Sequence, residues 1–398
     1  MQMVQVNEYG TLTLKSVTIQ TSDDSYIAMT ERSVAEGEQH RGAGNGLRPT
    51  LRTLAEATGL GVTTVSRALK DGSEIALATR ERVKRAAEQI GYVPDVAGRR
   101  LRTGKSGTVA LLLSPHPEVT GFGLSMIAGL TRALEGTGRE LLVVPDFQPG
   151  DELAAVRSVL DGRRADGLVL SRIRPQDIRV RALLERDVPF VTHGRTELAT
   201  VHASHDLDNA ELARLAVERL IARGRRRLLL VPPARGFTYR VHMQIGFERA
   251  VQRAGAEIVS PPDPSFDLDL PLDELRAHVA AAVAAEHAPD GIVCGGDGAT
   301  LATLAGVVDA GRRPGIDVDV VGKQTSPALD HVMPPIDTLH EDLEAAGVAL
   351  GTQLLALLDG AAPDGLCTLA APLPRWRTTL DPVDDPVTDT FHHPRSFP

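Results

Sequence analysis

Apolar residues change their spacing twice along this chain. Between Thr50 and Gly91 they recur every three or four positions, the period of a helix with one buried face. Thr50 is placed to cap a first helix, with Leu51, Leu54 and Ala55 on one stripe and Gly59 as its stop. A second helix starts near Val62 and turns Val62, Val65 and Leu69 inward. A third follows Thr79, carries Val83, Ala86, Ala87 and Ile90 on its apolar face, and ends at Gly91. Three short amphipathic helices, the first two joined by a tight glycine-containing turn, predict a helix-turn-helix over residues 48–93. Pro94 blocks continuation, and Asp95 is placed to cap one more short helix, closed by Gly104, in a linker over 94–106.

From Gly107 the pattern becomes short apolar runs alternating with amphipathic stretches. The runs TVALLL, ELLVVP, GLVLS, PFVTHG, RLLLV, GIVCGG and DVVGK predict strands. Between them LSMIAGLTRALEG, DELAAVRSVLDG, DNAELARLAVERLIARG and TLATLAGVVDAG predict helices. This alternation implies parallel sheets covered on both faces, and residues 107–380 are too many for one sheet, so two doubly wound α/β lobes are expected. Outside this frame, YGTLTLKSVTIQ alternates like a strand, while ERSVAEGEQHRGAGNG is polar and aperiodic. Residues 1–47 are therefore expected to be a largely disordered extension, and 381–398, rich in Pro and Asp, a loose tail.

Composition sharpens this picture. With 42% hydrophobic and 24% charged residues, the chain can bury sizeable cores. No apolar run approaches the length of a membrane span, and no charged, apolar leader opens the sequence. Only Cys294 and Cys367 are present, without metal-ligand or disulfide spacing, which predicts a cytoplasmic protein. The net charge of −9 hides an asymmetry: residues 48–105 hold twelve Lys/Arg against six Asp/Glu, so the rest carries −15. A basic block on an acidic chain is the footprint of a nucleic-acid-binding head.

On the second helix, Thr63, Ser66 and Arg67 share an outward stripe, with Thr64 beside it. Small hydroxyls suit phosphates and base edges, and an arginine can grip guanine bidentately. The stretch from Arg48 to Leu113, through TVSRAL, TRERV, AAEQIGYVP and RRLRTGKSGT, resembles the DNA-binding head, hinge and first core strand of the lactose-repressor (LacI) family. The resemblance implies that Val62 and Thr63 vary with operator sequence, and that Thr64, Ser66 and Arg67 are general DNA contacts, with Thr50 at the start of the first helix among them. It implies that residues 95–102 form a hinge helix that pairs in the minor groove, where Leu101 wedges between base steps and Gly98 faces the groove. Gly61 stands where the family often carries a capping serine, and Gly98 replaces a commoner alanine.

The resemblance extends more loosely over 107–380, to a two-lobe core like that of periplasmic sugar-binding proteins. It places lobe one at about 107–193 and 336–362, and lobe two at about 194–335 and 363–380. Ligands in open α/β lobes bind at the carboxyl ends of strands. Those ends offer Arg195, Asp297 and Gln324 as hydroxyl partners, and Phe122 as an apolar wall for a sugar ring. Lys323 and Gln324 stand where the family usually has an aromatic residue and an aspartate, and Met243 replaces an arginine. Asp208 and Asn209 resemble a pair that caps a helix. His202, His205 and Asp206 lack any metal-site spacing, and no dinucleotide loop, Walker A loop or GxSxG elbow is present, so no metal, cofactor or enzymatic activity is expected.

The expected protein is thus an all-α helix-turn-helix head with a hinge helix, followed by a two-lobe α/β core. As the resemblance implies, it is a homodimeric transcriptional regulator, a repressor, on a pseudo-palindromic double-stranded operator, controlled by a mono- or disaccharide. THGRT, GGDGATL and GKQTSPA are similar to the branch regulating α-glucoside uptake. The alternative, a sugar-binding module without regulatory DNA binding, predicts a leader and no basic head.

Overall fold

The computed structural model describes residues 2–6, 12–16, 49–69, 73–92, 104–114, 119–146, 150–261, 263 and 265–377. The chain divides into two compact units, Met1–Pro94 and Asp95–Pro398. In the first, β1 (Gln2–Val6) and β2 (Leu12–Ser16) pair antiparallel, Gln2 opposite Ser16. The extension is therefore not structureless throughout, and β2 lies inside the stretch whose alternation resembled a strand.

Three helices follow: α1 (Leu51–Thr58), α2 (Val62–Ala68) and α3 (Leu77–Ile90). Thr50 caps α1 reciprocally with Thr53: each accepts the other's backbone N–H at 3.2 Å, satisfying donors the helix leaves open. Gly59 and Gly91 end α1 and α3 in the left-handed conformation that glycine adopts without penalty. Leu54, Ala55, Val65, Ala68, Val83 and Ala87 form the core. Val62, expected inward, is 46% exposed; Ala68, one turn beyond Val65, takes the inward place. The third helix starts at Leu77, two residues before Thr79.

The second unit holds two six-stranded sheets. One contains β3 (Thr108–Leu113), β4 (Glu140–Pro145), β5 (Gly167–Leu170), β6 (Phe190–His193), β7 (Ser204–Leu207) and β13 (Cys367–Ala370), ordered β13-β7-β6-β5-β3-β4 and parallel throughout. Strand alternation splits its residues between two layers. Val109, Leu111, Val169 and Val191 pack on α4 (Val119–Leu134) and α11 (Leu343–Leu358). Ala110, Leu112, Leu168 and Leu170 pack on α5 (Ala154–Asp161) and α6 (Ile178–Glu185). Helices α4 and α11 approach so closely that a Cβ on Gly129 would lie 2.1 Å from the Glu344 carbonyl oxygen.

The other sheet contains β8 (Arg227–Val231), β9 (Glu257–Ile258), β10 (Gly291–Cys294), β11 (Asp319–Gln324), β12 (Asp337–His340) and β14 (Leu373–Arg375), ordered β14-β12-β11-β10-β8-β9. Only β14 runs antiparallel, against β12. Leu228, Leu230, Val293 and Val321 face α7 (Asn209–Ala222) and α8 (Thr238–Arg253). Leu229, Ile292 and Val320 face α9 (Leu272–Ala284) and α10 (Asp297–Asp309).

The chain crosses between lobes three times, after β7, between β12 and α11, and between β13 and β14. These points correct the expected boundaries. Strand β7 belongs to lobe one, β12 to lobe two, and β13 returns to lobe one before β14 completes lobe two. The physical cause is that SHDL and DTLH are short and polar, so hydrophobic patterning alone does not mark them as strands.

Candidate functional site

On the head, burial of Val65 and Ala68 fixes which face of α2 looks outward. Val62, Thr63 and Arg67 are exposed, Thr64 and Ser66 half-buried. Among the described residues, Arg67 meets one distant carboxylate: its Nε lies 3.7 Å from Glu74 Oε1, and its side chain is 59% exposed. Gly61 stands at the N-cap of α2 and provides no side-chain hydrogen bond. The hinge residues Gly98 and Leu101 lie outside the described residues.

In the second unit, the carboxyl ends of both sheets converge on an open cleft, the place where ligands bind in open α/β lobes. Lobe one contributes Ser114 after β3, Ser171 and Arg172 after β5, His193 and Gly194 at β6, and Phe122 from α4. Lobe two contributes Tyr239 from α8, Gly295 and Gly296 after β10, Lys323 and Thr325 at the end of β11, and Glu341 after β12. Phe122 stands edge-on to His193 with ring centroids 5.4 Å apart, and Tyr239 stacks on Phe237 at 5.7 Å.

Glu341 organises the charges of this cleft. Its Oε2 receives Lys323 Nζ at 2.6 Å, and its Oε1 lies 3.1 Å from His193 Nε2 on the opposite lobe. Burial alone would raise the Glu341 carboxyl pKa. The Lys323 charge and the contacts of His193 outweigh that, and hold it well below the ordinary carboxylate range. The other charges are also paired: Arg172 Nη2 donates to Asp269 at 3.1 Å, and Arg195 Nε to Asp206 Oδ2 at 2.8 Å.

Of the four expected effector contacts, the structure brings Phe122 into the cleft wall and sets three behind it. Arg195 turns to Asp206, which does line the cleft, and to His242 Nδ1 at 3.3 Å. Asp297 accepts from the Thr325 amide at 3.1 Å and hydroxyl at 2.7 Å, so it positions a lining residue without being one. Gln324 is fully buried; its amide donates to Ser326 O and Asp330, and its carbonyl accepts from Thr338 and Arg377. The period of two along β11 explains the correction: 323 and 325 share the cleft side, and 324 points away.

The further cleft-lining residues Lys323, Thr325, His193, Glu341, Arg172 and Tyr239 have one legible signal among them, the strand alternation that exposes 323 and 325. Met243 is fully buried in the core. Asp208 caps α7 through the Glu211 amide, as its pairing with Asn209 suggested. His202 bonds Thr196 and Ala203, and His205 bonds Thr368, so the two rings serve separate partners.

Residues 107–338 match the periplasmic binding proteins and sugar binding domain of LacI family, and residues 50–95 match the bacterial regulatory proteins of the lacI family. The chain belongs to the LacI family. It is 31% identical over 324 residues to the HTH-type transcriptional regulator CelR of Thermobifida fusca, covering 79% of this chain and 93% of CelR. A solved CelR–cellobiose complex is similar with a TM-score of 0.60 and 27% identity, over 82% of this chain and 98% of that one. The lac repressor dimer bound to operator and the anti-inducer ONPF shares the fold, with a TM-score of 0.71 at 21% identity, over 82% of this chain and 98% of that one. This LacI-family chain is therefore a DNA-binding transcriptional regulator with a helix-turn-helix head and a periplasmic-binding-protein-like core. Among the described residues, no helix is long and apolar enough to cross a membrane.

Proposed function

We propose that this regulator binds a pseudo-palindromic operator as a homodimer, as a cytoplasmic repressor, and that a mono- or disaccharide in the cleft changes its operator affinity. The observation that carries the effector reading is the pairing of aromatic walls, Phe122 and Tyr239, with a cleft floor of hydroxyls and pre-paired charges. A sugar ring has apolar faces and a rim of hydroxyls, and such a surface matches both. Because Lys323, Arg172 and Asp206 already have counter-ions, a neutral ligand leaves no charge uncompensated. A glucose-containing disaccharide is the reading favoured by the α-glucoside-like segments and by the cellobiose held by CelR.

On the head, Val62, Thr63 and Arg67 read base edges, while Thr50, Thr64 and Ser66 hold the phosphates. Gly98 and Leu101 belong to the hinge that enters the minor groove. In the core, Phe122, Lys323, Thr325 and Glu341 contact the effector, Arg195 and Asp297 hold Asp206 and Thr325 in place, and Gln324 ties the segment after β11 to β12 behind them. Operator and effector prefer different lobe arrangements, so each weakens the other by the same factor.

Selection of bound sequences from a random DNA pool tests the first half. An enriched pseudo-palindrome is expected; salt-sensitive binding without enrichment opposes it. Release of that operator by glucose, maltose or cellobiose tests the second half, and indifference to all three opposes it.

A further inference from the structure

The three crossovers leave the lobes from one side. In lobe one they involve β7 and β13, which are neighbours at one edge; in lobe two they involve β12 and β14, again at an edge. Farther along both sheets, the turn after β5 in lobe one meets two segments of lobe two, the one after β8 that carries Phe237 and Thr238 and the one after β9 that carries Asp269. Here Arg172 Nη2 lies 3.1 and 3.2 Å from the two oxygens of Asp269, and its guanidinium sits 4.3 Å over the ring of Phe237. Arg174 adds a second guanidinium 5.0 Å from the same ring. The Thr238 amide donates to the Ile173 carbonyl at 2.9 Å, so the lobes share a backbone bond as well.

This finger is built to hold its shape. Arg172 has φ +54°, the left-handed region a non-glycine residue enters only under constraint. The constraint is Arg179, buried in α6, which donates to the Ser171 and Arg172 carbonyls at 3.1 and 3.0 Å and is itself held by Asp177. Ile173 anchors the turn in the lobe-one core at 1% exposure. On the receiving side, Gly236 at φ +84° leaves the space that Arg174 fills: a Cβ there would lie 2.7 Å from its Nη1.

Arg172 also lines the cleft, and Phe237 stacks on Tyr239, which lines it too. We propose that Arg172 is an effector-site residue that clasps the two lobes together on the side away from the crossovers, so that a ligand enters and leaves only when its bonds to Asp269 and Phe237 are broken. With the crossovers as hinge, a clasp on the far side fixes the angle between the lobes. Occupancy of the cleft is sensed where Arg172 and Tyr239 meet the ligand and the clasp together. This inference rests on reading the cleft as the effector site.

The test combines two measurements on the full-length chain. Amide hydrogen exchange at Thr238, without any ligand, reports the clasp directly. Arg172→Ala is expected to speed that exchange at least tenfold, and Asp269→Asn, a milder change that keeps the Phe237 contact, at least threefold. Stopped-flow binding of cellobiose and maltose reports ligand exchange: association and dissociation are both expected to accelerate at least fivefold in Arg172→Ala. In the parent chain both rates are expected to rise with salt, and this response is expected to be lost in Asp269→Asn, which a merely structural role for the pair does not predict. Unchanged exchange at Thr238 in both variants overturns the clasp. So do sugar rates that stay within twofold of the parent's. If neither sugar binds the parent chain, the effector reading fails, and the exchange at Thr238 alone decides whether the clasp exists.

Discussion

Lys323 and Glu341 form an ion pair at 2.6 Å in the floor of the cleft, with side chains only 13% and 6% exposed. The first ends β11 and the second follows β12, so the pair ties neighbouring strands of lobe two, while His193 reaches Glu341 from lobe one. A cation this buried needs its counter-ion. Glu341→Gln keeps an acceptor for His193 but strips Lys323 of its charge partner, and should destabilise the core by about 3 kcal/mol. Urea unfolding measures this. The double variant Lys323→Met, Glu341→Gln should recover most of the loss; if it does not, shape and not charge is what the site requires.

The same pair sets a pH dependence. The folded state holds the Glu341 carboxyl below its ordinary value of 4.5, so its ionised form stabilises the fold. That contribution is complete above pH 4.5 and declines as the pH falls from there toward the depressed folded-state value. The stability gap between the parent chain and Glu341→Gln should therefore narrow as the pH falls below about 4.5. A gap that widens below that pH contradicts the assignment.

Gly61 offers a gain of stability. It caps α2 with φ −66° and ψ 145°, which serine adopts freely, and only the Thr64 hydroxyl, 3.9 Å from the position of a Cβ, is nearby. Gly61→Ser adds a side-chain cap and restricts the unfolded chain, together worth about 0.5–1 kcal/mol. Thermal unfolding of the head should shift upward accordingly, and no shift would mean that the serine fails to reach the open amides of α2.

Arg67 is where structure and function separate most cleanly. Its exposed ion pair with Glu74 contributes little to stability. A bidentate contact to guanine, by contrast, is worth about 1–3 kcal/mol. Arg67→Ala should weaken binding to the selected operator roughly five- to a hundredfold and leave the melting temperature and sugar affinity as they were. Equal affinity for operator in the variant and the parent removes Arg67 from the interface.

Much of the fold was legible because its centre is apolar. TVALLL and RLLLV coincide with β3 and β8, since strands covered on both faces need apolar residues at nearly every position, and ELLVVP coincides with the edge strand β4. The strands next to the crossovers were not legible. Asp206 and Asp337 are buried because Arg195 and Arg219 neutralise them, and Arg219 lies 118 positions from its partner. A pairing that distant leaves no local pattern, so β7 and β12 went unseen and the lobe boundaries moved with them. Glu341 was hidden for the same reason, sitting just past an unrecognised strand. Phe122, expected as an apolar wall, lines the cleft from α4, where an aromatic residue is noticeable without any partner.

Gln324 and Lys323 are adjacent, and the strand sends them to opposite sides, which makes them a test of the site. Gln324 ties Ser326 and Asp330 to Thr338 and Arg377, so it joins the segment after β11 to β12 and to the residues that follow β14. Gln324→Ala leaves the Thr338 hydroxyl and one Arg377 donor without that acceptor, and should cost about 1–3 kcal/mol of core stability. Its sugar affinity should stay within about threefold of the parent's, because no atom of Gln324 lines the cleft. Lys323→Met should lower both stability and affinity. It leaves the buried Glu341 without its cation, so stability falls as in Glu341→Gln. In calorimetric titration with the selected sugar the affinity should fall about tenfold or more, since an apolar side chain replaces a donor on the cleft wall. Were Gln324→Ala to abolish sugar binding while keeping its melting temperature, the ligand would have to reach behind β11, and the cleft as drawn by Lys323, Thr325 and Glu341 would be the wrong one.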